Sequence, residues 1–437
     1  MSLKVVYLTL CTVCLMGLGI VYFVDINMVT SKFVNSRLTY LKFIWSTNKN
    51  NLTEEETAIT FNDTGSSFHL KTPTTVPLIS QVNKSSRNVT TRLFSKVTAM
   101  SFNSSLVVQC KESPYIQCTP SNITQPLSNK QFKIVYLRRP SWLTADATSC
   151  KINQCVVSDG PVTNDTDLVV VYAVGLPDSF QPPQRWTNQT YIIAVWESPI
   201  HTYSDVLKNA NSPWNSRINL IMSYRVGGDV FAPYSHLVFS PKPLPERPNY
   251  YEIAKNKTRT AVWIVSHCGT QSRREQYVRE MQKYIDVDIL GGCGTPCKTN
   301  SVCDNWGAKY KFYLSFENSL CTDYVTEKFF KLFNQKTHVI PVVRGGADYD
   351  KHFPNFTYIN SAHFRKPKDL ALHLKDLASD LQTYSKYLEY MDLYKEKNVN
   401  HNCRLCSFAH THTLPVTKTY NLKSWINDGH CHNPQDL

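Results

Sequence analysis

The chain has no GxxxxGK[ST] phosphate loop, no zinc-finger or RNA-recognition signature, no long basic run and no internal repeat. The first absence argues against P-loop chemistry, sulfotransfer included. The missing nucleic-acid motifs argue against DNA or RNA as partner, although the formal charge is +13 and a basic surface attracts anions in general. A positively biased surface with a local diphosphate pocket is enough to account for that charge. Charged residues make up only 19% and aromatics 12%, the balance of a folded protein rather than a disordered one. At 437 residues the chain exceeds one ordinary core, so two domains plus accessory segments are expected.

What is there begins at the N-terminus. Residues 5–24 are an uninterrupted apolar run behind Lys4, the length of a membrane-spanning helix. No small-x-small cleavage site follows it, although Gly17 and Gly19 keep a cleaved signal as the alternative. Asn-x-Ser/Thr sequons follow at Asn51, Asn62, Asn83, Asn88, Asn103, Asn122, Asn164, Asn188, Asn256 and Asn355. Their density before residue 125 puts this side in a glycosylating lumen. The expectation is a type II membrane protein, with residues 1–4 cytoplasmic and 5–24 a signal-anchor. Outside that run twelve cysteines remain, for which disulfides are the default in a lumen. Cys293, Cys297 and Cys303 near His267 and Cys268 offer a competing zinc reading, which an oxidising compartment disfavours.

Residues 25–128 are rich in Ser, Thr and Asn with little sustained periodicity, which reads as a glycosylated stem. From residue 133 the texture changes. Short apolar runs at 134–137, 168–174, 191–196 and 220–223 read as strands, and a second set lies at 261–266, 287–290, 312–316 and 339–343. Helical patterns intervene at 273–284, 323–333 and 367–390. Alternating strands and helices in two blocks imply two doubly wound α/β domains facing a cleft. The first is set at 129–250, ending in the Pro-rich linker 240–251. The second is set at 251–400, followed by a cysteine-bearing C-terminal segment, 401–437.

The most informative stretch is YKFYLSFENSLCTDYVTEKFF, residues 310–330. An apolar alternating run ends in Glu317 and Asn318, and a polar turn leads to an expected helix start from Thr322 to Lys328. Ligands of open α/β sheets bind where a strand's carboxyl end feeds a helix, and helix N-termini favour phosphate. Glu317, Asn318, Tyr324, Glu327 and Lys328 at that junction suit a nucleotide sugar. The structural alternative is an ordinary capped helix behind a core strand.

That string resembles the signature of the α1,3/4-fucosyltransferases, glycosyltransferase family 10, in which FEN precedes a D-Y-[IV]-T-E-K helix start. VWESPIHTY (195–203), NLIMSYRVGGDVFAPY (219–234), AVWIVSHCGTQSRREQYV (261–278) and HVIPVVRGGADYDKHFP (338–354) match in the same order. The resemblance covers roughly residues 130–410 and implies a GT-B fold of two Rossmann-like domains. It implies an inverting enzyme of the Golgi lumen that moves L-fucose from GDP-β-L-fucose to a GlcNAc hydroxyl, O3 first, of a glycan acceptor. By resemblance Glu197 is the general base. Arg274 and Lys328 contact the diphosphate, with Arg273 as substitute for Arg274. Glu327 accepts hydrogen bonds from the nucleotide-sugar hydroxyls, Tyr324 packs beside the donor, and Glu317 and Asn318 sit on the guanosine or ribose side or support it. Without the resemblance, Glu197 reads as a strand-end carboxylate capping a turn, and Arg273 and Arg274 as solvated helix charges. Arg225 either lines the cleft or pairs with Asp229. Cys403-Arg-Leu-Cys406 resembles the family's structural C-terminal CxxC.

Three DxD patterns, at Asp165/Asp167, Asp286/Asp288 and Asp348/Asp350, match the manganese motif of other glycosyltransferases. Patterns this short arise by chance, and Lys and Arg can neutralise a diphosphate, so no obligatory metal is expected and Mn²⁺ is at most a stimulant. Two alternatives stand beside the lead: an inactive lectin-like protein that kept the fold, and a lumenal transferase with another donor. The His-His-Arg-Asp/Glu acceptor segment of better-known vertebrate members is absent, so Lewis-type N-acetyllactosamine, N-glycan core GlcNAc and LacdiNAc all stay open. So do α1,4 activity and the oligomeric state.

Overall fold

A computed structural model describes the backbone of four strands between residues 25 and 71, and residues 110–118, 126–127, 129–297, 303–334 and 337–437. The expected span 5–24 and the sequons at Asn51, Asn62, Asn83, Asn88, Asn103 and Asn122 lie outside them. Among the described residues no helix is long and apolar enough to cross a membrane. The chain divides into two compact units, Met1–Ala99 and Met100–Leu437. In the first, strands Asp25–Phe33, Ser36–Ile44, Glu56–Phe61 and His69–Lys71 pair in chain order as an antiparallel meander. These strands fall within the Ser/Thr-rich segment read as a stem.

The second unit is built on two all-parallel sheets. The N-terminal sheet contains β1 (Phe132–Arg138), β2 (Cys155–Asp159), β3 (Leu168–Tyr172), β4 (Thr190–Val195), β5 (Leu220–Ser223) and β6 (Val230–Phe231), in the order β6-β5-β4-β3-β1-β2. The C-terminal sheet contains β7 (Arg259–Ile264), β8 (Val287–Leu290), β9 (Tyr310–Phe316), β10 (Ile340–Arg344) and β11 (Ile359–Asn360), in the order β8-β7-β9-β10-β11. Strands β3 and β4 are largely apolar on both faces because each sheet is covered on both, and every residue of β9 is buried, Lys311 and Ser315 included. In each sheet the chain steps to one side of its first strand and then returns across it. The order therefore reverses between β1 and β3, and between β7 and β9. Crevices at the carboxyl ends of such strand pairs are where doubly wound folds bind ligands.

Helical boundaries depart from the periodicity. Asp323 has φ 58°, so the helix expected from Thr322 begins at Thr326, whose side chain caps it: α2 is Glu327–Phe330, continued by the 3₁₀ turn Lys331–Phe333. The helix expected over 273–284 is α1, Arg274–Met281. The pattern over 367–390 is two helices, α3 (Pro367–Ser379) and α4 (Leu381–Met391). Asp380 leaves helical backbone there and its carboxylate caps the second helix through the Thr383 N–H at 3.0 Å. The segment 240–251 is not a free linker. Lys242 and Tyr250 bind Asp392 at 3.0 and 2.6 Å, and Arg247 binds Glu389.

The C-terminal segment crosses back to the N-terminal sheet. Helix α5, His401–Thr411, packs Leu405, Cys406 and Ala409 with Ile134, Leu168 and Ile192 on one face, while Leu422 and Ile426 pack on the other. Disulfides Cys150–Cys403 and Cys155–Cys406 fix the return, and Cys321–Cys431 ties the tail to the loop after β9. Cys110–Cys118, Cys268–Cys293 and Cys297–Cys303 complete the set. The cysteines of the zinc reading are thus paired with one another.

The segment assigned to the stem reaches into this unit. Ile116–Gln117 pairs parallel to Ser235–Phe239, which also pairs with Tyr394–Asn398. Tyr115 is fully buried against Phe231 and Phe353 and donates its hydroxyl to the Asp323 carbonyl at 3.1 Å. The sequence gives little sign of this anchor, because the aromatic rings and the carbonyl that hold the Tyr115 side chain lie more than a hundred residues away. Tyr115→Ala is expected to cost about 3 kcal/mol, the range for truncating a buried aromatic. Thermal unfolding checks it: a chain beginning at residue 129 should melt below one beginning at residue 100.

Candidate active site

Strand β9 delivers Glu317 to the end of its sheet with no exposure at all. A carboxylate there must be paired and hydrogen-bonded to be tolerated. Glu317 accepts from the Thr326 N–H at 2.9 Å and from the Thr326 hydroxyl at 2.9 and 3.0 Å, and lies 3.2 Å from the Lys328 ammonium. Burial pushes its carboxyl above the ordinary value, against the pull of Lys328. Lys328 also donates to the Thr326 hydroxyl at 2.7 Å and to Glu327 at 3.1 Å. Desolvation works to lower its pKa, but Glu317 and Glu327 hold it above the usual lysine value. Glu327 itself is exposed. The sequence-predicted residues Glu317, Glu327 and Lys328 thus form one ion cluster at the helix start.

Backbone geometry brings Tyr324, in the loop after the C-terminal sheet's β9, to Glu197, which follows the N-terminal sheet's β4. Asp323 in the left-handed region turns Tyr324 inward, where it is 1% exposed. Its hydroxyl donates to Glu197 Oε1 at 2.5 Å, and the Ser198 N–H donates to the same oxygen at 2.7 Å. Burial, then the neighbouring Tyr234 and Glu197, push the Tyr324 phenol well above its ordinary value, so it stays a neutral donor. Ser198 and Ser319 hydroxyls meet at 2.8 Å across the same junction. Glu197 follows β4 and remains half-buried, which leaves it partly open to a substrate.

Arg274 starts α1, as expected, yet it is only 2% exposed. Its guanidinium donates to the Phe316 and His267 carbonyls, each at 2.7 Å, and its Nε makes no hydrogen bond but lies 3.9 Å from the Glu275 carboxylate. Burial lowers its pKa, with Glu317 and Glu275 acting the other way. Arg274 therefore clamps the carboxyl ends of β7 and β9, one on each side of the β7/β9 crevice. Arg273 is exposed, with φ 49°, and donates to Gln276 at 2.5 Å. Asn318 is buried with its Oδ1 unpartnered, beside Glu317. Arg225 does not pair with Asp229. It lies over the Trp425 ring at 4.2 Å and donates to the Trp425 carbonyl, while Asp229 binds Lys418 and Tyr420.

His201 was not singled out by the sequence. It is buried, its Nδ1 meets the Tyr203 hydroxyl at 2.6 Å, and its Nε2 has no partner. Its ring lies 5.0 Å from that of His267, which follows β7 in the other sheet. Burial lowers its pKa, with Glu197 acting the other way, so it is a neutral imidazole at the cleft. The only available signal was its position four residues after Glu197. One carboxylate of each DxD pattern is engaged elsewhere: Asp288 with Arg259 and Tyr310, Asp165 with Lys133, and Asp350 with Tyr358, Asn360 and His363.

Residues 128–235 match the family model described as fucosyltransferase, N-terminal, and residues 254–425 match that of glycosyltransferase family 10 (fucosyltransferase), C-terminal. Alpha-(1,3)-fucosyltransferase C of Drosophila melanogaster is 32% identical over 323 residues, covering 68% of this chain and 74% of that protein. The human 4-galactosyl-N-acetylglucosaminide 3-alpha-L-fucosyltransferase FUT6 is 30% identical over 281 residues, covering 63% and 74%. A crystal structure of an alpha1,3-fucosyltransferase with GDP-fucose aligns with a TM-score of 0.44 at 14% identity, covering 69% of this chain and 96% of that one. With both family models matched in tandem and a 32% identical relative covered over 74% of its length, the chain belongs to glycosyltransferase family 10, the fucosyltransferases.

Proposed function

We propose that the chain is an alpha-(1,3)-fucosyltransferase that moves L-fucose from GDP-β-L-fucose to O3 of a GlcNAc-containing glycan with inversion. The observation that carries this reading is the juxtaposition of Glu197 with the β9–α2 donor junction through the Tyr324 hydrogen bond. Glu197 takes the proton of the acceptor hydroxyl as its oxygen bonds to the fucose anomeric carbon. The bond from that carbon to the β-phosphate oxygen breaks on the opposite face, and its electron pair leaves with GDP. One displacement gives an α-fucoside, and a diphosphate needs no carboxylic acid to leave. Lys328, the more open cation, meets the departing charge, with the Arg274 guanidinium behind it. Glu327 is left exposed for the sugar hydroxyls, and Glu317 serves as the anchor of Thr326 and Lys328.

We place this chemistry in the Golgi lumen, on a type II anchor at residues 5–24. Support comes from the pairing of all twelve cysteines outside that run, which an oxidising compartment favours. The four described sequons, Asn164, Asn188, Asn256 and Asn355, are also exposed.

The direct test is incubation of the full chain with GDP-fucose and N-acetyllactosamine, LacdiNAc and core-GlcNAc acceptors, followed by linkage mapping; the absence of any α1,3-fucosylated product overturns the reading. Glu197→Gln is expected to lower kcat by roughly 10²–10⁴-fold with GDP binding nearly intact, and a loss below tenfold sinks the base assignment. Tyr324→Phe removes a hydrogen bond to a charged partner and should lower kcat by about ten- to a hundredfold, measured with the GDP-fucose KM. EDTA is expected to leave turnover largely in place, whereas full loss restored by Mn²⁺ would show an obligatory metal.

A further inference from the structure

The fucosyl-transfer reading assigns a donor half and a base but no group that holds the acceptor. The N-terminal sheet has its own order reversal, between β1 and β3, and thus its own ligand crevice at the carboxyl ends of those strands. Two aromatic residues flank it. Trp142 lies in the loop that leaves β1, and Tyr172 is the last residue of β3. Glu197 stands beside them, two residues beyond the end of the adjacent β4.

Trp142 is 56% exposed, the only tryptophan among the large exposed apolar side chains of the described residues. It meets Trp196, Tyr172 and His401 at ring distances of 5.3, 6.5 and 5.8 Å and interplanar angles of 76°, 87° and 75°. The indole therefore stands out from the cluster instead of lying flat on it. Trp196 is buried and adjacent to Glu197 in the chain, and Tyr172 feels the Glu197 charge. The platform is contiguous with the base.

The loop that presents Trp142 is held from several sides. Leu143 is buried, and its N–H donates to the Pro140 carbonyl at 3.0 Å. Arg139 binds Asp159 through two nitrogens and also donates to the Leu143 carbonyl. From α5, the Asn402 amide donates to the Thr144 carbonyl at 2.6 Å, and Cys403 is bonded to Cys150. Leaving a large aromatic in water forgoes roughly 1.5–3 kcal/mol of burial. A loop fastened this firmly has already lost the conformational entropy that binding would otherwise cost.

We propose that Trp142, backed by Tyr172 and Trp196, is the platform on which a pyranose ring of the acceptor glycan stacks. The apolar C–H face of a pyranose matches a flat aromatic face, while its hydroxyls stay free at the rim. Aromatic contact area of this kind fixes the orientation of a ligand with few hydrogen bonds. This inference rests on the fucosyl-transfer reading only for the identity of the ligand. It names the surface that delivers the acceptor hydroxyl to Glu197.

The test compares the full wild-type chain with Trp142→Ala and Trp142→Phe, using N-acetyllactosamine in the presence of GDP. In saturation-transfer NMR, wild type is expected to label the C–H protons of one pyranose face, Trp142→Ala to lose that signal, and Trp142→Phe to retain it. In turnover, Trp142→Ala should raise the acceptor KM at least tenfold, leaving the GDP-fucose KM and acceptor-independent GDP release within twofold. Equal ring labelling in wild type and Trp142→Ala, or an acceptor KM within twofold, overturns the platform. A GDP-fucose KM rising in parallel with the acceptor KM also overturns it, since that marks a structural role. A wild type that binds the acceptor through Trp142 yet releases no GDP from GDP-fucose leaves the platform standing and removes the fucosyl-transfer reading.

Discussion

The buried carboxylate of Glu317 is the constraint from which the site follows. It has no exposure, and removing one partner of a buried ion pair costs roughly 3–5 kcal/mol, so its surroundings must close around it in one way. The Thr326 amide and hydroxyl and the Lys328 ammonium supply that closure, which fixes the first turn of α2 against the end of β9. The Ser315 hydroxyl adds a bond to the Lys328 carbonyl at 2.8 Å. With both ends of the connecting loop set, Asp323 is driven into left-handed backbone and Tyr324 into the interior. The hydrogen bond from Tyr324 to Glu197 is thus the last link of a chain that begins at Glu317.

The same loop is crowded from its other side. A Cβ on Gly346 would lie 2.5 Å from the Cys321 nitrogen and 2.6 Å from the Leu320 carbonyl carbon, so only glycine lets the β10 turn approach this closely. The C-terminal tail seals what remains. Asp436 binds the buried Arg344 at 2.7 Å, Thr322 bonds to the His430 carbonyl, and Cys431 is joined to Cys321. Arg344 also donates to the Ser272 carbonyl at 2.8 Å, close to the Arg274 clamp. Disulfides spanning 253 and 251 residues pin α5 to the N-terminal sheet, and cross-links over long loops constrain the unfolded chain most in the entropic account. The chain between α5 and Cys431 therefore bridges both sheets.

The sheets were legible because buried parallel strands are written locally. The apolar runs at 134–137, 191–196 and 312–316 fall on β1, β4 and β9. The helix start at Thr322 was misplaced for a physical reason: Tyr324 and Val325 carry apolar spacing, yet Tyr324 is buried against Glu197 and Val325 in the core from non-helical backbone. Arg274 was legible as a cation near a helix start. Its burial was not, because the carbonyls that hold it come from β9 and the β7 loop. Tyr115 and Trp142 left little local trace, since the aromatic rings they pack against are brought near only by tertiary packing.

Across the cleft the two halves differ in how they treat charge. The C-terminal half concentrates ionised groups, Glu317, Lys328, Glu327 and Arg274, of which Glu317 and Arg274 are buried and hydrogen-bonded. Around Glu197 the neighbours are neutral: Tyr324 and Tyr172 are phenols held protonated, Tyr172 pushed up to about 12 by burial and then by Glu197 itself. His201 and His401 are imidazoles whose burial disfavours the cation, the latter down to about 3. In the proposed reaction this asymmetry suits the two halves: one side receives charge in the transition state, and the other takes up a proton.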